Sequence, residues 1–360
     1  MSKKYSVLDL FCGAGGLSRG FLDAGFNVVA GVDFDEPALK TFEANHGNAK
    51  AMKLDLFDHN NILKIKDYLD KNKINLDVLV GGPPCQGFSL AGKREENDER
   101  NILYSAMVKT AKVLNPKVVV LENVPGMLKL YDGKVAKRII NDFTKLGYKM
   151  KAEVLYAPNY GVPQIRKRVV FVGVKNELSD FNYPQPKFSP DEYVTCEEAI
   201  SDLPSLENDE DYSLDTIRKY MTEPKSEYQK SMRKNSKEVK NHFPTKHAQK
   251  TIENISKIPD GGNYKDLPPE ESKKFKYHES LTRYNSKKPS LTIDTGHRTH
   301  FHYKYNRIPS VRENARLQSF PDDFIFYGSK QQQYKQVGNA VPPLLGKAVA
   351  EQVKEVLDNE

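Results

Sequence analysis

The chain has 360 residues, of which 38% are hydrophobic and 29% charged, with a net charge of +7. That composition supports a packed core and excludes wholesale disorder, and the length suggests a large domain plus a smaller one. No apolar run approaches the ~20 residues that cross a bilayer. No secretory core follows Met1, and three cysteines (Cys12, Cys85, Cys196) are too few for a disulfide framework or a four-cysteine zinc site. The expectation is a cytoplasmic protein with no membrane segment and no metal.

Through residue 175, short runs rich in Val, Leu and Ile alternate with helical patterns. Strands are predicted at 5–10, 28–32, 50–54, 76–80 and 117–121, with helices at 16–24, 37–45, 62–72, 102–114 and 135–146. Pro37 fits a first helical turn, and Gly25 and Gly147 follow their helices as stops. Residues 149–156 and 168–174 add an antiparallel hairpin. The pattern predicts an α/β fold, a doubly wound and mostly parallel sheet. After Pro184 the periodicity weakens; order returns near 311–320, and a last helix is expected over 343–357.

The charge is uneven. Residues 188–217 hold ten acids and no Lys or Arg, whereas 218–305 hold twenty Lys/Arg against ten Asp/Glu, with six of the eight histidines and seven tyrosines. Clustered cations among planar rings suit a phosphate backbone and stacked bases; a solvated lysine-rich surface is the plainer alternative. The switch marks a change of domain. The expected division is a discontinuous catalytic and cofactor domain, 1–185 plus 330–360, and a target-recognition domain, 186–329.

Ligands of such sheets bind where strands end. The first strand runs into Asp9-Leu10-Phe11-Cys12-Gly13-Ala14-Gly15-Gly16, a tight turn that opens a helix but lacks the G-x-G-x-x-G spacing of a nicotinamide site. Asp33 ends the second strand, where a carboxylate can accept both ribose hydroxyls. Asp55 ends the third and can take an adenine amino group. Each acid alone reads equally as a helix cap; three strand ends together point to an adenosine-type ligand.

The fourth strand leads into Gly81-Gly82-Pro83-Pro84-Cys85-Gln86-Gly87-Phe88-Ser89. A lone cysteine is usually buried packing. Two prolines make a stiff entry that instead suits a nucleophile, and the charged stretch 90–101 suits a closing loop. Glu122-Asn123 follows the fifth strand and places a carboxyl at an apolar edge. In Gln164-Ile165-Arg166-Lys167-Arg168, strand alternation would put Gln164, Arg166 and Arg168 on one face. Two guanidiniums beside a thiol favour thiolate and hold an anion or carbonyl oxygen; a basic surface strand is the bland reading.

Together these motifs resemble the DNA (cytosine-5) methyltransferase family, in its compact prokaryotic restriction-modification form. The matching blocks are 9–18, 81–89, 122–128, 160–173, 312–324 and 336–343, in the family's order and spanning all but the basic middle. The resemblance implies a methyltransferase fold with S-adenosyl-L-methionine as donor, bound by Phe11, Gly13, Gly15, Asp33, Asp55, Pro83 and Asn339. It implies attack of Cys85 on C6 of a flipped cytosine, Glu122 acting at N3, Arg168 at O2, Arg166 near the thiolate, and Asn123 and Gln164 positioning. Asp33 stands where the family usually has Glu, which shortens its reach. The 312–324 block reads as scaffold. Double-stranded DNA is the implied substrate, a cognate restriction endonuclease an implied partner, and a monomer the expected state. Arg218, Arg233, Arg283 and Arg298 are candidates to contact guanine. The alternatives are an RNA cytosine-5 methyltransferase of the same family, a non-catalytic DNA-binding protein that kept the fold, and a nicotinamide oxidoreductase, which the glycine spacing disfavours.

Overall fold

The computed structural model describes residues 4–84, 103–275, 281–296 and 300–360. By internal contacts the chain divides into two compact units. The first comprises Met1–Tyr156, Lys167–Gln185 and Pro343–Glu360; the second comprises Ala157–Arg166 and Pro186–Pro342.

The first unit is built on a seven-stranded sheet. Its strands are β1 (Ser6–Leu10), β2 (Asn27–Asp33), β3 (Lys50–Lys53), β4 (Val78–Gly81), β5 (Val118–Asn123), β6 (Tyr148–Tyr156) and β7 (Lys167–Lys175), in the order β3-β2-β1-β4-β5-β7-β6. β1 to β5 pair in parallel; β7 runs antiparallel between β5 and β6. β1 and β4 are buried along their whole length, which is why β4 reads as a continuous apolar run and β1 as one broken only by Ser6 and Asp9. The helices α1 (Gly16–Asp23), α2 (Glu36–Asn45), α3 (Asn61–Lys71), α4 (Leu103–Leu114) and α5 (Lys134–Thr144) supply the crossovers. Asp35 caps α2, accepting from the Ala38 amide at 3.3 Å, with Pro37 in the first turn. Leu8, Leu10, Val32, Leu79, Val119, Leu121, Phe143 and Phe171 form one continuous core.

The C-terminal helix Pro343–Asp358 returns to this unit and lies on α1. The helices touch at Gly20, where a Cβ would sit 2.5 Å from the Lys347 backbone nitrogen. The Tyr5 hydroxyl donates to the Leu357 carbonyl at 2.6 Å and fastens the end of the chain.

The predicted strands and helices stand within one or two residues of their expected ends, with one consequential shift. β5 extends to Asn123, because β7 pairs with it as far as Asn123↔Val169. Glu122 and Asn123 are therefore the last residues of a strand rather than loop residues.

The second unit has short helices, α6 (Cys196–Ile200), α7 (Glu227–Arg233), α8 (Gln249–Ser256), α9 (Pro269–Ser272), α10 (Val311–Leu317) and α11 (Lys330–Asn339), with two-residue strand pairs. Its centre is α10, buried at every position. Arg316 donates to Asp202 at 2.8 Å and to both oxygens of Asp322 at 2.7 Å. Arg312 donates to the carbonyls of Lys240, Pro321 and Phe324. Arg307 grips Glu313 through two 2.7 Å bonds. Buried charges persist only when paired like this, so the 312–324 block is scaffold.

This division differs from the expected 186–329 at both edges. Residues 157–166 join the second unit because Ile165 N donates to Ser290 O at 2.7 Å and Ser290 N to Pro163 O at 3.0 Å. Residues 330–342 join it because the Tyr334 hydroxyl reaches Pro309 O at 2.7 Å and Asn241 reaches Gln333 at 3.1 Å.

Three of the four arginines expected to contact guanine are anchored within the protein. Arg283 is buried and donates to the carbonyls of Ile255, Ile258 and His302. Arg233 bonds Asp202 and Thr222 O while stacked 3.7 Å over Tyr220. Arg218 bonds His242 O and pairs with Asp209. Arg298 lies outside the described residues. His242, His300 and His302 are buried rather than displayed. Residue counts reveal an excess of cations but not which of them already have partners.

Candidate active site

The carboxyl ends of β1, β2 and β3 carry the first half of the site. Phe11, Gly13 and Gly15 take the left-handed conformation, at φ 57°, 52° and 91°. The turn is closed by Gly15 N donating to Cys12 O at 2.8 Å. At Gly15 a side chain is excluded twice, by φ and by the ring of His46, 2.2 Å from where a Cβ would stand. At Gly13 a Cβ would meet nothing within 4 Å, so the turn borders open space.

Asp33 lies at the end of β2 and ties two loops together. Its Oδ2 accepts from Gly13 N at 2.8 Å; its Oδ1 accepts from Phe34 N at 2.8 Å and Asp35 N at 2.9 Å. Burial raises its pKa, against the lowering effect of these amides. Each carboxylate oxygen has two lone pairs, so Oδ1 is filled and Oδ2 keeps capacity for one further donor such as a hydroxyl. Asp55 is exposed beyond β3 and accepts from Phe57 N at 2.9 Å. Beside the two acids stand Phe34, 68% exposed, and Phe57, 48% exposed. Large apolar surface beside carboxylates at adjacent strand ends suits a flat, partly polar ring system. Sequence reasoning passed over both rings; the signal was an aromatic within two residues of each strand-end acid.

The second half lies where β4, β5 and β7 meet. Because β7 is antiparallel, its start falls at the same edge as the end of β5. Arg168 thus reaches Glu122, with Nε 2.7 Å from Oε1 and side chains only 14% and 12% exposed. Asn123 is buried; its amide donates to Pro83 O at 2.8 Å and its Oδ1 accepts from Val124 N at 2.9 Å. It thereby pins the segment Gly82-Pro83-Pro84, whose next residue in sequence is Cys85. Gly82 lies against Glu122, 3.2 Å from a Cβ position to Oε2. Cys85, with 86–102, lies outside the described residues.

The structure brings Pro83, Glu122, Asn123 and Arg168 together in the first unit. Gln164, Arg166 and Asn339 belong to the second. β7 begins at Lys167, so Gln164 and Arg166 precede the strand and the expected shared strand face with Arg168 does not form. Arg166 is buried. Its guanidinium donates to Gly338 O at 2.9 Å, Ala340 O at 3.2 Å, Ile293 O at 3.3 Å and Gln164 Oε1 at 3.3 Å. Gln164 in turn bonds Gln318, Leu317 O and Ile293 N, and Gln318 donates to Ala340 O at 2.6 Å. Asn339 is exposed between the two carbonyls that Arg166 holds. The arrangement presents Asn339 from a braced segment. Among the described residues no cluster of His, Cys, Asp and Glu could hold a metal ion, and no helix is long and apolar enough to cross a membrane.

Comparison with known proteins shows the family. A model of the family of C-5 cytosine-specific DNA methylases matches residues 5–355. Type II methyltransferase M1.HphI of Haemophilus parahaemolyticus is 38% identical, across 99% of this chain and 88% of its own. Type II methyltransferase M.DdeI of Desulfomicrobium norvegicum is 36% identical, across 98% and 89%. Among solved structures, a DNA modification methyltransferase encoded within an E. coli prophage superposes with a TM-score of 0.80 at 26% identity, across 99% of this chain and 100% of its own. The S. pombe Dnmt2 methyltransferase, at 0.59 and 16% over 99% of each chain, shares the fold.

Proposed function

Since the chain belongs to the C-5 cytosine-specific DNA methylase family and is a DNA (cytosine-5)-methyltransferase, we propose that its methyl donor is S-adenosyl-L-methionine and its nucleophile Cys85. The observation that carries this reading is the Glu122–Arg168 pair, 2.7 Å long and largely withdrawn from water, beside the pinned prolines that lead to Cys85.

In the donor pocket, the open backbone at Gly13 admits the ligand and Asp33 accepts a ribose hydroxyl through Oδ2. Asp55 takes the adenine amino group between Phe34 and Phe57, Phe11 and Pro83 line the remainder, and the family pattern assigns Asn339 as a further donor contact. Bound there, the donor supplies a methyl group activated by a sulfonium.

Cytosine C5 is a weak carbon nucleophile. The Cys85 thiolate adds to C6, and the displaced electron pair conjugates through C4 to N3, where Glu122 in its acid form delivers a proton. Arg168 leaves Glu122 for O2, so the ion pair opens as the base arrives and its two members divide between N3 and O2. C5, now part of an enamine, takes the methyl group. Loss of the C5 proton to a base such as water expels the Cys85 thiolate and restores the ring double bond, and the N3 proton returns to the Glu122 carboxylate. Asn123 holds the nucleophile's loop, and Gln164 with Arg166 holds the Asn339 segment.

The target carbon is stacked within double-stranded DNA, so the base is flipped out at roughly a few kcal/mol. Backbone contacts from the basic second unit offset that and make binding salt-dependent. The second unit reads the target sequence. The full-length likeness to Type II methyltransferases supports pairing with a cognate restriction endonuclease, with this chain acting as a cytoplasmic monomer.

The test is methylation of matched duplex DNA and RNA oligonucleotides with labelled donor, by the native chain and by Cys85→Ala. Label at cytosine C5 of DNA alone, lost in Cys85→Ala while donor and DNA still bind, is expected. Transfer to RNA, or turnover by the variant, contradicts the reading.

A further inference from the structure

Residues 218–305 carry more than the whole positive excess, so the rest of the chain sums to −3. One face of the first unit is nevertheless strongly basic. Helix α4 carries Lys109 and Lys112 and no acid. Helix α5, with Lys145 directly after it, carries Lys134, Lys137, Arg138 and Lys145 against one acid, Asp142. All six cations are exposed. The two helices lie side by side, because the Tyr104 hydroxyl at the start of α4 donates to Asp142 at 3.4 Å. Asp142 is thereby engaged with α4, and Arg138 stands 3.9 Å from it. Other helices of this unit balance their charge in pairs: Arg19 with Asp23 at 2.9 Å, Lys66 with Asp70, and Lys347 with Glu351 at 3.9 Å.

The core does not require these cations, since α5 packs through Val135, Ala136, Ile139 and Phe143. Two of them are set against the helix's own field. Lys134 and Lys137 stand at its start, where the backbone dipoles already concentrate positive charge, and the first turn holds no acid to offset them. Asp132, exposed just ahead of the helix, is the one acid near them in sequence. A local rule broken with no structural gain marks a functional surface.

The chemistry of the face selects its partner. Among its described residues Val113, 38% exposed, is the one large apolar side chain on display. Protein interfaces centre on apolar and aromatic residues and are depleted in lysine, whereas a phosphate backbone takes lysines directly. From Lys134 to Lys145 the helix runs about 16 Å, the length of roughly five phosphates along one strand. Ten residues separate β5 from α5, and a helix that follows a parallel strand starts at that strand's carboxyl end. The basic face therefore begins at the sheet edge where Glu122 and Arg168 meet.

We propose that the outward face of α4 and α5 is a second, sequence-independent contact for duplex DNA, gripping backbone that flanks the target base. This rests on the duplex-DNA reading above and adds a first-unit surface to the second-unit contacts given there. The lysines neutralise phosphates and release counterions; they read no base.

The experiment measures binding of the full chain to a fluorescent duplex several helical turns long, across a salt series. The native chain is compared with two triple variants. Lys109→Gln/Lys137→Gln/Lys145→Gln strips the basic face; Lys40→Gln/Lys347→Gln/Lys354→Gln removes the same charge from α2 and the C-terminal helix. Glutamine forms helix nearly as well as lysine, so both should fold. For the first variant the slope of log affinity against log salt is expected to be shallower by about 2–3, because each phosphate contact contributes roughly 0.9, with affinity at low salt at least about tenfold weaker. The second variant keeps the native slope. Should the first variant fail to fold, Lys137→Gln alone is expected to cost about one unit of slope and decides the same question. Equal slopes in all three proteins, or an equal loss in both variants, overturn the basic face and leave DNA binding by the second unit standing. Absence of salt-dependent binding by the native chain overturns the duplex-DNA reading as well.

Discussion

Replacing Arg166 with Met separates a positioning role from a chemical one. The guanidinium donates to three carbonyls and one amide oxygen. Of these acceptors, Ala340 O keeps its 2.6 Å bond from Gln318, and Gln164 Oε1 keeps its 3.1 Å bond from Ile293 N. The carbonyls of Gly338 and Ile293 lose the donor held here. A buried carbonyl stripped of its donor costs ~1–3 kcal/mol. Met retains most of the stem's packing, so a total near ~3 kcal/mol is expected after relaxation. The strain falls on the segment that presents Asn339. The account therefore predicts an earlier urea midpoint and donor affinity weakened about tenfold or more, since ~1.4 kcal/mol is tenfold. Single-turnover methylation at saturating donor and DNA should stay within about fivefold of native, on the scale where each ~1.4 kcal/mol of barrier is tenfold. If instead single-turnover rate fell by ~10² or more with donor affinity intact, Arg166 would be acting at the reacting base, and the positioning argument would be wrong.

Other expectations follow from the same geometry. Glu122→Gln removes the acid that serves N3 and should lower single-turnover rate ~10²–10⁴-fold with DNA affinity little changed; a tenfold loss or less would mean N3 is served otherwise. Gly20→Ala puts a Cβ 2.5 Å from the Lys347 backbone, so unfolding should show a loss of ~1–3 kcal/mol, and an unchanged midpoint would mean the C-terminal helix is not seated on α1 as described. Acid sensitivity should come from buried histidines in both units: burial holds His46 and His242 down at about 4 and His302 at about 3, against 6.5 when unfolded. Below pH 6.5 the unfolded chain binds protons that the folded one refuses. Stability should therefore fall from pH 6.5 toward pH 4, by up to ~1.4 kcal/mol per pH unit for each histidine. Urea midpoints that stay flat between pH 7 and 5 would refute that assignment.

The sheet was legible because its central strands are buried on both faces and its crossovers short, which leaves apolar runs and helical periods in plain alternation. Glu122 and Asn123 were recognisable as site residues but not as strand residues, since β5 is lengthened by pairing with β7, a partner some fifty positions away in sequence. Gln164 and Arg166 were legible as a motif, yet their attachments, at Ile293, Gln318, Gly338 and Ala340, lie more than a hundred residues on. The second unit escaped because it is held by paired charges and carbonyl bonds such as those of Arg283 and Arg316, which leave no periodic trace. The same fact explains why Arg218, Arg233 and Arg283 looked available to guanine. Phe34 and Phe57 were overlooked because an isolated aromatic is unremarkable until its exposure is known.

Incubating the native chain with donor and duplex DNA carrying 5-fluorocytosine at the target position tests the central claim most directly, because fluorine at C5 cannot be removed as a proton and the attacking group stays attached. Mass spectrometry of the digested complex should find the nucleotide bonded to Cys85, with no adduct from Cys85→Ala. Absence of a covalent complex under conditions where ordinary cytosine is methylated, or attachment at any other residue, would contradict the account.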